Sequence, residues 1–232
     1  MAGEKILVIE DERDILEVLE YNLTREGFSV TTSSDGVEGL DLAKNSHPDL
    51  ILLDLMLPGL DGLEVCKRLK EVSATKSISV IMVTAKGEES DIVIGLGLGA
   101  DDYVAKPFSP KELVGRVKAV LRRGPLKLPG TQKEKITREN FVIDSVKHEV
   151  RLDGKPVMFT ATEFRILHFL ASNPGRVFTR DEIISNGIGG DAFVVDRNID
   201  VHIRSVRKKL ERQKSLIETI RGIGYRFMDM AE

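Results

Sequence analysis

Cysteine is nearly missing from this chain: Cys66 stands alone among 232 residues. An internal disulfide is therefore excluded, and C-x-x-C metal spacing is absent. Long apolar runs are missing as well, for none approaches the roughly 18 residues that a bilayer-spanning helix needs. The opening "MAGEKILVIEDE" turns acidic too early for a signal peptide. These absences lead to the expectation of a protein of the reducing cytoplasm.

What is present points to a soluble globular chain, 41% hydrophobic and 31% charged. The length favours two domains. The net charge of −3 conceals an asymmetry. Residues 1–123 carry 15 Lys and Arg against 22 Asp and Glu, a balance of −7, and residues 124–232 carry 19 against 15, a balance of +4. An acidic half and a basic half suggest partners of opposite kind. Between them "RRGPLKLPGTQKEK" mixes prolines and glycines with charges and shows no periodicity. The predicted organisation is a domain over 1–123, a linker over 124–137 and a second domain over 138–232.

The first half alternates apolar runs ("KILVI", "FSVTT", "DLILLD", "SVIMVT", "DYVAK") with stretches whose Ile, Leu and Val recur at i, i+3 and i+4. Such βα repeats predict an α/β domain, a doubly wound five-stranded parallel sheet covered on both faces. In these sheets ligands bind beyond the carboxyl ends of the strands, and the unusual residues fall there. Glu10 and Asp11 end the first strand, and Asp54 ends the third after four apolar residues. Buried carboxylates repel unless something positive joins them. Three of them suit a hard divalent cation such as Mg2+. Thr84 follows the fourth strand and Lys106 the fifth, a hydroxyl and an ammonium suited to holding a phosphoryl group on Asp54. Each alone reads equally well as a helix cap or a surface charge; together they do not. The Lys106–Pro107 bond is a candidate cis peptide.

These residues carry a resemblance. Residues 4–123 resemble the receiver domain of two-component response regulators, in the acid pair, the aspartate acceptor, the threonine and the Lys-Pro. The resemblance implies that a sensor histidine kinase phosphorylates Asp54. It implies Mg2+ on Glu10, Asp11, Asp54 and the Met56 carbonyl, and a switch in which Thr84 and Tyr103 shift together. It also implies that active receivers pair into a homodimer through a face containing Ile92, Asp101, Asp102, Glu112 and Arg116. Ile92 stands where relatives commonly place a basic residue, so one ion pair per subunit is expected to be missing.

The second half begins with short alternating strands, "NFVID", "EVRLD" and "KPVMFT". The helical stretch "ATEFRILHFLASNPG" follows, with Thr160 or Thr162 as its cap. A second helix over "TRDEIISN", a third from Arg197 to Lys214 and a closing β-hairpin around Gly222 and Gly224 describe a winged helix-turn-helix domain. The third helix carries seven basic residues against Asp200 and Glu211. Val201, Val206 and Leu210 are expected to face inward and Arg204, Arg207, Lys208 and Lys209 outward. A basic stripe is most often a solvated face, but this one occupies the position that enters the major groove, beside a hairpin tipped by Arg221. Through "TATEFRIL", "DRNIDVHIRSVRKKL" and "IRGIGYRF" this half resembles the OmpR/PhoB winged-helix effector domain. With "GADDYVAKPFSPKELVGRVKAVLRR" the whole is similar to phosphate-regulon response regulators. The resemblance implies binding of double-stranded promoter DNA through Arg197, Asn198, His202, Arg204, Ser205, Arg207, Lys208 and Arg221. Asn198 stands where the family commonly has Thr, and Ser205 where relatives have Arg. RNA polymerase is a further expected partner, although Gly187 and Ile188 replace a common Val-Trp.

Other classes fit less well. An aspartyl-phosphate phosphatase needs a second acid two residues after its nucleophile, where Met56 stands. A dinucleotide enzyme rests only on "GLGLGA", which does not directly follow a strand. The remaining alternative is a regulator that works without phosphorylation, but such proteins usually lack part of the acid, Thr and Lys set.

Overall fold

The computed structural model describes residues 3–85, 89–121, 134–138, 140–189 and 197–229. They belong to two compact units, Met1–Leu121 and Arg122–Glu232.

In the first unit β1 (Lys5–Ile9), β2 (Ser29–Ser33), β3 (Leu50–Asp54), β4 (Ser79–Ala85) and β5 (Asp102–Lys106) alternate with α1 (Arg13–Arg25), α2 (Gly36–Ser46), α3 (Gly62–Glu71), α4 (Glu89–Leu98) and α5 (Pro110–Leu121). The strands form one parallel sheet in the order β2-β1-β3-β4-β5. The continuous apolar runs are explained by helices on both faces: every residue of β3 is buried. On one face Leu19 and Leu23 of α1 and Leu113, Val117 and Val120 of α5 pack against Ile6, Leu52, Ile81 and Val104. The strand order reverses direction between β1 and β3, so a crevice opens at their carboxyl ends.

The second unit starts with a four-stranded antiparallel sheet: β6 (Lys135–Arg138), β7 (Phe141–Asp144), β8 (Glu149–Leu152) and β9 (Lys155–Val157). The first of these falls partly in the stretch expected as linker. Its alternation is legible only through its partner, because Ile136 is buried opposite Ile143 of β7. After α6 (Ala161–Ala171) come β10 (Val177–Thr179), α7 (Arg180–Glu182) continued by a π-helical stretch (Ile183–Gly189), and α8 (Arg197–Leu210). Thr160 caps α6 in a reciprocal capping box with Glu163. The recognition-type helix is shorter than its sequence suggested, since Glu211 takes φ 50° and the chain tightens into a 3-10 helix over Glu211–Leu216. The hairpin strands β11 (Ile217–Ile220) and β12 (Gly224–Phe227) are joined by β10 into a three-stranded sheet. Gly224 is required here, because a Cβ on it would sit 2.0 Å from the Phe178 carbonyl oxygen. Ile199, Ile203, Val206 and Leu210 of α8 pack into one core with Phe164, Leu167, Phe178 and Phe227.

Candidate functional site

At the crevice, Glu10 lies one residue past β1, Asp54 ends β3, and Lys106 ends β5. The register places Ile9 beside Leu53, Asp54 beside Val83 and Thr84 beside Ala105, so these strand ends share one edge. Glu10 and Asp54 are each 1% exposed. The positive partner that two such acids need is the Lys106 ammonium. Its Nζ donates to Asp54 Oδ2 at 2.7 Å, to Glu12 Oε1 at 2.8 Å and to Glu10 Oε1 at 2.9 Å. The Met56 N–H donates to Asp54 Oδ1 at 3.0 Å. The Lys106–Pro107 peptide is cis. Thr84 is buried at the same edge, and half-buried Tyr103 lies three residues before Lys106, beside Met82.

Burial, reinforced by hydrogen bonding to Asp54, pushes Glu10 up to about 7 despite the adjacent ammonium. Burial acts in the same sense on Asp54, but hydrogen bonds from Glu10, Lys106 and the Met56 N–H outweigh it and hold that carboxyl below its usual value. Lys106 is also penalised by burial, yet its bonds to Asp54, Glu12 and Glu10 keep it above the usual lysine range. Asp54 is therefore the stronger acid of the pair and Glu10 the weaker.

One of the converging acids differs from the sequence expectation. Carboxylate oxygens of Glu10, Glu12 and Asp54 lie within 4.8 Å of one another. Asp11 is exposed and lies outside that cluster, although it shares with Glu10 a cavity of about 550 Å³ also lined by Arg13, Thr32 and Ser33. Past the end of a strand, side chains alternate, and Glu12 keeps an extended backbone with φ −74° and ψ 105°. Glu10 and Glu12 thus point the same way. That alternation was the available signal for Glu12. Glu10 Oε2 is buried with no hydrogen-bond partner among the described residues. An unsatisfied buried oxygen beside two more carboxylates fits a hard divalent cation.

At the edge expected to pair receivers, Asp102 is buried and accepts from Arg116 Nη1 at 3.1 Å within the same chain. Arg116 Nη2 reaches Glu112 at 3.0 Å. Asp101, expected on the same face, is turned inward within the chain. It is 2% exposed, accepts from the Val80 N–H at 2.9 Å and lies 3.5 Å from Lys70 Nζ. The side chain of Ile92 lies outside the described residues.

On α8 the expected DNA residues divide sharply. Arg204 and Lys208 are exposed, and so is Arg221 at the hairpin tip. His202 is not available to a groove: it is 1% exposed, because it falls three residues after Ile199 on the apolar side of the helix. Ser205 is half-buried, and its hydroxyl donates to Glu163 Oε1. Arg207 is turned inward. Its Nη2 donates to the Ile217 carbonyl at 2.7 Å and to Thr219 Oγ1 at 2.8 Å, and its guanidinium lies 5.6 Å from the Tyr225 ring centroid. Lys209, expected outward, pairs with Glu163. Val201 is only half-buried, while Val206 and Leu210 are buried. Asp200, which the sequence marks only as an acid on a basic helix, accepts from Arg180 Nε at 2.7 Å and from the Tyr225 hydroxyl at 2.8 Å. Arg197 and Asn198 have side chains outside the described residues.

An acidic crevice on a doubly wound sheet, followed by a winged helix with a basic outer face, defines a response regulator with a DNA-binding output. Comparison with known proteins agrees. Residues 6–118 match the family model of the response regulator receiver domain, and residues 154–227 match that of the transcriptional regulatory protein C terminus. The chain is 44% identical over 227 residues to the phosphate regulon transcriptional regulatory protein PhoB of Escherichia coli (strain K12), covering 97% of this chain and 98% of that one. It is 44% identical over 233 residues to the alkaline phosphatase synthesis transcriptional regulatory protein PhoP of Bacillus subtilis (strain 168), covering 97% and 96%. Among solved structures, a RitR mutant superposes with a TM-score of 0.76 at 26% identity, covering 98% of this chain and 100% of that one. DrrB of Thermotoga maritima, an OmpR/PhoB homologue, gives 0.51 at 33% identity with the same coverage. The chain belongs to the OmpR/PhoB family of response regulators. It is a phosphorylation-dependent transcriptional regulator, with a histidine kinase and promoter DNA as the partners its two domains imply. Among the described residues no helix is long and apolar enough to cross a membrane.

Proposed function

We propose that Asp54 is the phosphoryl acceptor, and that its phosphorylation in the cytoplasm drives dimerisation and promoter binding. The observation that carries this reading is the Lys106 ammonium bridging Glu10 and Asp54 at the crevice. An ionised Asp54 supplies the attacking oxygen, and the Met56 N–H orients the carboxylate. Lys106 is positioned to exchange a carboxylate for a phosphoryl oxygen, and the Thr84 hydroxyl offers a second donor. Glu10 and Asp54, with Asp11, Glu12 or the Met56 carbonyl, would hold Mg2+, which when bound offsets the charge of the phosphoryl oxygens. Thr84 and Tyr103 form the switch that carries the change toward a dimer face of Ile92, Asp102, Glu112 and Arg116. In the second domain Arg204, Lys208 and Arg221, joined by Arg197 and Asn198, contact DNA, and the segment containing Gly187 and Ile188 is the expected contact with RNA polymerase. Supporting this division, Arg204, Lys208 and Arg221 are the exposed members of the set among the described residues.

The test is chemical. Acetyl phosphate with Mg2+ modifies the wild-type protein, and Asp54→Asn blocks incorporation of label. Full incorporation into Asp54→Asn, or into the wild type with the metal chelated, refutes the assignment.

A further inference from the structure

A buried carboxylate behind the DNA-facing helix has no part in the reading given so far. Glu163 in the first turn of α6 is 1% exposed. Its Oε2 accepts from the Thr160 N–H at 2.8 Å, closing the capping box. The same carboxylate reaches α8 twice: Ser205 Oγ donates to Oε1 and Lys209 Nζ donates to Oε2, each at 2.5 Å. Ser205 and Lys209 are four residues apart and so stand one above the other on a single helix flank. Arg204 and Lys208, the exposed cations, precede each of them by one residue, about 100° around the helix.

We propose that Glu163, through Ser205 and Lys209, fixes the roll of α8 about its axis, and that these three are positioning residues for base readout rather than DNA contacts. The inference rests on α8 being the DNA-reading helix. Arg207 and Asp200 tie α8 to the hairpin and to Arg180, whereas against α6 the apolar packing is non-directional and the Glu163 bonds supply the directional tie. Two hydrogen bonds one turn apart remove the freedom that packing leaves on that side. With a helix radius of roughly 5–6 Å including side chains, a roll of about 20° displaces the outward groups by about 2 Å. That displacement is enough to break a bidentate contact to a base edge. Attraction to phosphates, by contrast, tolerates it. Ion pairing with Lys209 and the Ser205 bond hold Glu163 below its usual pKa although burial acts the other way, so the carboxylate is charged while it clamps.

The prediction is a loss of selectivity without loss of charge contacts. A binding site is first selected from random fragments by the beryllofluoride-treated full chain. Affinity for that site and for the same fragment with its central bases scrambled is then measured across a salt series. Ser205→Ala and Glu163→Gln, each checked for a native circular dichroism spectrum at the assay temperature, are expected to reduce the selected-to-scrambled ratio by about fivefold or more, the size of one good base contact. The log–log salt slope stays unchanged, because no phosphate contact is lost. Arg204→Ala serves as the contact control, and it weakens binding to both fragments and lowers the slope by roughly 0.9. If Ser205→Ala keeps the full ratio while Arg204→Ala behaves as stated, the clamp is refuted and the DNA-helix reading survives. If Arg204→Ala alters neither affinity nor slope, that reading fails, and the clamp with it.

Discussion

Raising the pH of the metal-free protein perturbs one buried group above all, Glu10. Its carboxyl is carried from 4.5 to about 7, by burial first and then by hydrogen bonding to Asp54. A carboxyl raised on folding binds its proton more tightly in the native state. Its stabilising contribution is therefore complete below 4.5 and is lost as pH rises through 7. Between pH 5 and pH 8 the loss is roughly 2.5 kcal/mol for a shift of this size. Asp54 does not obscure it: that carboxyl is held below 3.8, so its own contribution is already complete by pH 5. In a unit of this size the loss lowers Tm on the order of 10 °C. The chain has no tryptophan, so thermal unfolding is followed by circular dichroism in chelator at pH 5, 6, 7 and 8. Glu10→Gln, which keeps the shape and removes the titration, is expected to flatten the difference. Mg2+ is expected to restore stability at pH 8. Its affinity should weaken by up to tenfold per pH unit below 7, since Glu10 must lose its proton to become a ligand. A Glu10→Gln protein that follows the same pH dependence as wild type, or Mg2+ binding that is flat between pH 6 and 8, refutes the reasoning.

Two further outcomes follow from α4 and the face beside it. Gly95→Ala places a Cβ 2.2 Å from the buried Met82 sulfur and is expected to destabilise the first unit by about 1–3 kcal/mol, whereas exposed Gly97→Ala stabilises it by up to about 1 kcal/mol; urea denaturation of the two variants reads the opposite signs, and equal signs refute the account. Because Arg116 is already engaged by Asp102 and Glu112 within one chain and Ile92 brings no charge, the beryllofluoride-dependent dimer is expected to be weak and little affected by salt. Sedimentation with and without Ile92→Arg checks this, and a tight dimer indifferent to beryllofluoride contradicts it.

The features legible in the sequence are those set by local pattern. Continuous apolar strands ending in Glu10 and Asp54 gave away the sheet and its edge, because a charge directly after a buried run has few places to go. Short strands were harder. Val177–Thr179 has three residues and is a strand only because β12 lies beside it. His202 carried a signal that was overlooked, as its spacing from Ile199 and Val206 puts it on the inner stripe. Asp101 carried none. In "GADDY" nothing local distinguishes the acid that turns toward Val80 from the one that meets Arg116, and only the pairing of β4 with β5 decides it.

The inward turn of Arg207 has a consequence for how such a protein changes its target. With Arg207 bound to the Ile217 carbonyl and Thr219, and Asp200 bound to Arg180 and Tyr225, helix and hairpin are braced by hydrogen bonds from charged side chains. The cations at 204, 208 and 221 are left outside that brace. A lineage can therefore exchange the outer set, one substitution at a time, and acquire a new operator while the frame that presents it stays intact.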